Sequence, residues 1–158
     1  MTKERKQEYT LRITNASASG LIVILYDLAI EYIENAKECF LVQDHEGAKA
    51  GCASAGRVLG DLISSLDFSY EISFPLFRIY EFISKEVSMA VIKNDSSALD
   101  GAERLLSSLK ESFAKIAQQD DSGPVMSNTQ SVYAGLTYGK GTLNESTSYS
   151  SDNRGYTV

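Results

Sequence analysis

Ser17-Ala18-Ser19-Gly20-Leu21-Ile22-Val23-Ile24-Leu25-Tyr26-Asp27-Leu28-Ala29-Ile30-Glu31-Tyr32-Ile33-Glu34-Asn35-Ala36-Lys37-Glu38-Cys39-Phe40 carries the pattern that decides the fold. Asp27, Glu31, Glu34 and Glu38 recur at steps of four and three, which sets them on one stripe of a helix. Opposite them run Leu21, Leu25, Leu28 and Tyr32, beside Ile22, Tyr26, Ala29, Ile33, Ala36 and Phe40. The spacing predicts an amphipathic helix of about 25 residues ending near Val42. Its apolar run, Leu21 to Tyr26, is stopped by Asp27, far short of the roughly 20 apolar residues a membrane helix needs.

Working outward, Asp44 is a natural N-cap for a second helix over 45–66. Its first half is unusually small, with Ala48, Cys52, Gly56 and Gly60 at four-residue steps and Gly51, Ala53, Ser54 and Ala55 around them. Each mid-helix glycine costs about 1 kcal/mol relative to alanine, so this face either admits a neighbouring helix closely or serves a partner. Pro75 suits the first turn of a third helix over 74–94, which Asp95 stops. Ser97-x-x-Asp100 reads as a capping box for a fourth helix over 98–119. Connections this short make neighbours antiparallel. The expected fold is all-α: an antiparallel up-down four-helix bundle over 17–120, an N-terminal arm over 1–16, and a Ser/Thr/Gly-rich tail over 121–158. The tail holds seven Ser, five Thr and five Gly with no helical period, and is read as flexible. Within it, Tyr133-Ala134-Gly135-Leu136-Thr137-Tyr138 marks 132–143 as a candidate docking segment.

Composition excludes most chemistry. Of 158 residues only His45 is a histidine, whereas a paired Glu-x-x-His di-iron site needs two and a His-rich zinc site at least two. A Ser-His-Asp device would have to run through His45 alone. Neither G-x-x-x-x-G-K-[ST] nor G-x-G-x-x-G occurs. No enzyme activity, cofactor or metal is expected. His45 follows Asp44 at a hairpin rather than standing mid-helix, so it is read as exposed and inert and not as a phosphotransfer histidine. Residues 21–120 hold nine basic and sixteen acidic side chains, and such a body repels nucleic acid. The charged start, Met1 to Lys6, precedes no signal-type apolar run, and two cysteines make no disulfide framework, so a cytoplasmic protein is expected. Cys39 and Cys52 lie nearly equidistant from the first hairpin and are expected to face each other across it as reduced thiols, with a redox switch as the alternative.

Two segments are more apolar than a bundle helix requires. Val23 and Ile24 sit on the side of Asp27 and Glu31, and from Ile72 to Ile83 only Arg78 and Glu81 are charged, which leaves Ile79 and Phe82 without a place in the core. In an up-down bundle Tyr26, Phe68, Tyr70, Phe74, Phe77, Tyr80, Phe82 and Phe113 collect at one end. Either the arm, with Tyr9, Leu11 and Ile13, folds over this surface, or a partner helix or extended peptide does; one role does not exclude the other.

These residues also support a family. Ala16-Ser17-Ala18 followed by Leu21-Ile22-Val23-Ile24-Leu25-Tyr26-Asp27-Leu28-Ala29-Ile30 resembles the T-A-S-P-x-x-L-I-x-x-L-Y-D-x-A-I signature of the FliS flagellar export chaperones. Ala55, Val58, Leu59, Leu62, Leu66 and Asp67 match its second-helix pattern, Tyr80-Glu81-Phe82 its Y-D-Y stretch, and Ala90 to Asp95 its A-N-I-K-N-D turn. Ala18 replaces the usual Pro, Val91 the usual Asn, and Phe113 a common Trp. The resemblance covers about residues 9–118 and implies a cytosolic chaperone that binds the disordered C-terminal segment of flagellin, with export-apparatus components as further candidate partners. It also implies that Tyr9 and Ile13 cover the site when it is empty. The expected partner-binding set is Tyr9, Ile13, Val23, Ile24, Tyr26, Leu62, Leu66, Phe77, Ile79 and Phe82, on a monomer or weak dimer. The alternative is a non-catalytic helical adaptor or self-associating bundle.

Overall fold

Ser17 starts the long apolar helix by a local device. In the computed structural model, which describes residues 3–126, its backbone is extended and its hydroxyl accepts the Gly20 N–H. That satisfies one of the orphan donors of a helix start. The Asp120 carboxylate, about a hundred residues on, accepts both the N–H and the hydroxyl of Ser19. The helix so capped is α2, Ala18–Leu41; α1 is Lys3–Thr14, α3 His45–Ser64, α4 Ser73–Lys93 and α5 Ser97–Ala117. All five elements are helical and the described residues contain no strand. The four predicted helices agree with α2 to α5 to within about two residues at each end. The arm, for which no helix is predicted, forms α1: Tyr9 and Ile13 stand one turn apart and give it an apolar edge that its many charges conceal.

Helix ends follow side-chain chemistry. The Asp44 carboxylate accepts the Gly47 N–H at 2.9 Å, the cap expected for α3. α4 stops one residue before Asp95, at Asn94, which adopts the left-handed conformation (φ 52°) that asparagine tolerates. The expected capping box of α5 does not form. Asp95 instead accepts both the N–H and the hydroxyl of Ser97, so that hydroxyl is engaged as a donor and the helix begins from Ser96 without a side-chain cap.

α2 packs against α3 and α5, and α4 packs against the same two helices. One core fills the space between them, built from Tyr26, Ile33, Leu59, Leu62, Tyr80, Ile83, Leu99 and Leu106 among others. Late α2 meets early α5 where Lys37 pairs with Asp100 and Glu103, and early α2 meets late α5 where Asp27 pairs with Lys110 at 2.7 Å. The Tyr26 and Tyr80 hydroxyls hydrogen-bond to each other inside the core, and the Tyr26 ring lies 5.5 Å from that of Phe113. Burial pushes both phenols above their usual pKa.

The two cysteines are free and do not face one another. Gly51 is the α3 residue pressed against α2, where an added Cβ would stand 3.0 Å from the Ala36 Cβ. Cys52, one residue and about 100° further round the helix, opens instead toward α4, while Cys39 lies on the α2 side with Gly47 and Gly51. Burial raises both thiol pKa values, which keeps them protonated. After α5 the chain turns back, and the Val125 N–H donates to the Ala16 carbonyl at 3.0 Å. The candidate docking segment 132–143 lies outside the described residues.

Candidate partner-binding surface

The link between α3 and α4 displays aromatic rings to solvent. Its backbone is pinned from inside: the buried Ser73 hydroxyl donates to the Asp67 carbonyl at 2.6 Å, and the Asp67 carboxylate accepts the Ser69 N–H at 2.9 Å. Those bonds from Ser69 hold the Asp67 carboxyl below its usual pKa. With the turn fixed, Phe68, Tyr70, Ile72 and Phe74 stand 46%, 64%, 64% and 57% exposed. Phe68 meets the edges of Phe74 and Phe77 at centroid distances of 5.4 and 5.9 Å, so the rings form one patch rather than scattered exposures. Contiguous apolar surface of this kind usually marks an interaction site.

A groove of about 460 Å3 runs between α3 and α4. Cys52, Ala53 and Gly56 form one wall and Ser84, Val87, Ser88 and Val91 the other. The small-residue face of α3 therefore divides. Gly51 permits the close approach of α2, whereas a Cβ at Gly56 or Gly60 would meet nothing within 4 Å. On α4, Phe77, Ser84, Ser88 and Val91 are separated by seven, four and three residues and share one helical face. Phe77 of the aromatic patch thus lies on the same face of α4 as the groove wall, two turns before Ser84.

α1 lies on a second apolar surface. Tyr9, Ala16 and Ile24 are buried together, with Ile13, Leu21 and Leu28 packed around them. The Tyr9 hydroxyl donates to Glu31 at 2.8 Å, and its ring carries the guanidinium groups of Arg5 and Arg12 at 5.2 and 5.3 Å. Arg5 pairs with Glu31 at 3.0 Å, and Arg12 with Asp27 at 2.6 Å. Burial and then the Glu31 bond push the Tyr9 phenol up to about 12. Burial acts to raise the Asp27 carboxyl, but Lys110 and Arg12 together outweigh it and hold the pKa below its usual range. Beside α1 an apolar furrow of about 410 Å3 passes between Gly20 and Val23 of α2 and Ala114 and Ala117 of α5.

The ten expected partner-binding residues fall into four places. Tyr9, Ile13 and Ile24 meet under α1, with Val23 in the furrow beside them. Tyr26 and Leu62 are enclosed in the core and in this state offer a partner no surface, while Leu66 and Ile79 pack on it and are partly exposed. Phe77 joins the aromatic patch, while Phe82 is half exposed elsewhere on α4. Phe77 and Ile79 are two residues apart, about 200° round the helix, and so belong to opposite flanks. The groove is absent from that set, although its α3 wall, Cys52, Ala53 and Gly56, belongs to the small-residue face for which the sequence leaves a partner surface open. Its signal in the sequence is the mid-helix Gly56, which no neighbouring helix requires.

Among the described residues no cluster of His, Cys, Asp or Glu is arranged to hold a metal ion, and no helix is long and apolar enough to cross a membrane. Compared with curated proteins, the chain matches none. The family model described as flagellar protein FliS matches residues 1–120, a span that includes all five helices. The chain belongs to the FliS family of flagellar export chaperones.

Proposed function

We propose that this chain is a cytoplasmic chaperone that binds the disordered C-terminal segment of flagellin, keeps the subunit from polymerising and delivers it for export. The scaffold is an antiparallel up-down bundle of α2 to α5, a reading supported by the crossed pairing of Lys37 and Asp27 with opposite ends of α5. The observation that carries the reading is the exposed apolar patch at the α3–α4 link, where Phe68 packs against Phe74 and Phe77 and where Tyr70 and Ile72 are also exposed. A flagellin segment lays apolar side chains on the patch and along the groove; α1 leaves the α2 face, and the segment continues there over Leu21, Ile24 and Leu28. A chain that orders only on binding spends part of its interaction energy on that ordering, which leaves a large interface reversible. Reversibility is what a delivery chaperone needs.

The test is titration of a synthetic flagellin C-terminal segment into the full chain by calorimetry, beside a Phe74→Ser variant. Phe74 is exposed, so the variant keeps its unfolding midpoint and loses affinity. Equal affinity in both proteins places the client elsewhere. If the chain is instead a stable dimer that ignores the peptide and is weakened by Phe74→Ser, the patch serves self-association.

A further inference from the structure

We propose that the exposed aromatic patch at the α3–α4 link is the docking surface for this chain's own residues 132–138, so that a flagellin segment binds there in competition with the tail. This rests on the reading of the patch as the client surface.

The patch lies at the end of the bundle from which the tail departs. Early α3 lies against late α2, where Gly51 meets Ala36, and against late α4 across the groove, so the starts of α2 and α4 share the opposite end. Their levels match. Tyr26 and Tyr80 bond across the core, and they stand eight residues past Ala18 and six past Phe74, about 12 and 9 Å along their helices. The chain after α5 is tied back to this same end: Asp120 accepts from Ser19, and the Val125 N–H donates to the Ala16 carbonyl at 3.0 Å. Met126, the last described residue, therefore stands beside the start of α2.

Length and chemistry select the occupant. Seven residues lead from Met126 to Tyr133, a span of at most about 24 Å. Packed helix axes lie about 8–10 Å apart, so the diagonal from α2 to α4 is about 14 Å and within that reach. Residues 122–139 carry no charged side chain. Of the eight Val, Leu and Tyr residues in 127–158, four fall in 132–138: Val132, Tyr133, Leu136 and Tyr138. Such a sequence suits a surface of Phe68, Tyr70, Ile72 and Phe74, because laying it on apolar rings desolvates no charge and tyrosine brings a large apolar ring with a hydroxyl free to meet water.

Tethering makes weak contact sufficient. A short linker gives an effective concentration on the order of 1 mM. A segment whose free peptide binds at about 0.1 mM then covers the patch about nine-tenths of the time and weakens the client's apparent affinity about tenfold.

The experiment compares the native full chain with the full chain carrying Tyr133→Ser, Leu136→Ser and Tyr138→Ser, its helices checked by circular dichroism. Two-dimensional NMR reads the amides of Phe68, Tyr70, Ile72 and Phe74, and calorimetry reads binding of the flagellin C-terminal segment. The expected result is that the substitutions shift those amides, that a synthetic peptide of residues 130–140 added to the variant shifts them back, and that the variant binds the flagellin segment about tenfold more tightly. Patch amides that ignore the substitutions, or equal client affinity in the two proteins, overturn the proposal. Amides that respond to protein concentration and not to the substitutions assign the patch to a second copy and overturn it as well. If the amides stay in place while both proteins bind the flagellin segment equally, the tail contact falls and the chaperone reading survives. If the amides shift and the peptide restores them, yet neither protein binds the flagellin segment, the tail contact survives and the chaperone reading falls.

Discussion

Three glycines on one helix are expected to respond to the same substitution with opposite signs. At Gly56 and Gly60 an added Cβ meets nothing within 4 Å, so alanine there gains the helix propensity that glycine lacks, about 1 kcal/mol at each site. At Gly51 the Cβ would stand 3.0 Å from the Ala36 Cβ, 3.2 Å from the Ala36 Cα and 3.2 Å from the Tyr32 carbonyl. Two of those atoms are backbone, so α2 and α3 must separate. Overpacking of that kind costs about 1–3 kcal/mol, which cancels or exceeds the propensity gain and leaves Gly51→Ala neutral to about 2 kcal/mol less stable. Thermal unfolding of the full chain by far-ultraviolet circular dichroism reads the difference as a shift of several degrees, upward for Gly56→Ala and Gly60→Ala and level or downward for Gly51→Ala. The same series separates fold from function. Gly56→Leu fills the groove from an outward-facing position, so it lowers client affinity without loss of stability. If all three alanines shift the midpoint alike, or if Gly56→Leu binds client as well as the native chain, the division of the α3 face is wrong.

Four more expectations concern the core, the α1 surface and α4. Tyr26→Phe or Tyr80→Phe alone strands the other hydroxyl in the core and costs about 1–3 kcal/mol, whereas the double substitution costs less than the two singles combined; urea denaturation of all four proteins checks this, and strict additivity contradicts it. Raised to about 12 from an ordinary 10.0, the Tyr9 phenol stabilises the docked α1 fully below pH 10, and that contribution is lost as the pH climbs through 12. Tyrosinate absorbance of the native chain minus Tyr9→Phe shows one group titrating near the upper value; a transition near 10 argues that α1 is not held as described. Asp27 has the opposite sign: its contribution is present above 3.8 and is lost as the pH falls through its lowered value. Finally, Phe82→Glu leaves the unfolding midpoint nearly unchanged because the ring is half exposed, while Ile79→Glu, on the core, costs several kcal/mol; equal effects in denaturation would show that the burial of Ile79 against the core is misassigned.

Much of the fold was legible because it is written in period. The stripe of Asp27, Glu31, Glu34 and Glu38 fixes the wet side of α2 without reference to any other helix, and Asp44 fixes the start of α3 by chemistry confined to one turn. What escaped depends on rotation between helices. Whether Cys52 faces α2 or α4 turns on about 100° that only packing of Gly51 against Ala36 decides. The same holds for the stretch from Ile72 to Ile83. It reads as one apolar block along the chain, yet the helix sends Phe77 toward the aromatic patch and Ile79 round the other flank. α1 was hidden for another reason: its apolar stripe is only Tyr9 and Ile13, and the rest of its attachment is ionic, made with acidic residues that a single-helix reading assigns to solvent. Asp27 and Glu31 belong to that solvent stripe and to the α1 contact at once.

In the proposed function a monomeric bundle binds a flagellin segment through the α3–α4 surface and the face under α1. Multi-angle light scattering of the full chain, with and without the flagellin C-terminal segment, tests it most directly. The expected result is a 17.3 kDa monomer that converts to a one-to-one complex. A stable dimer whose mass is unchanged by the segment would contradict it.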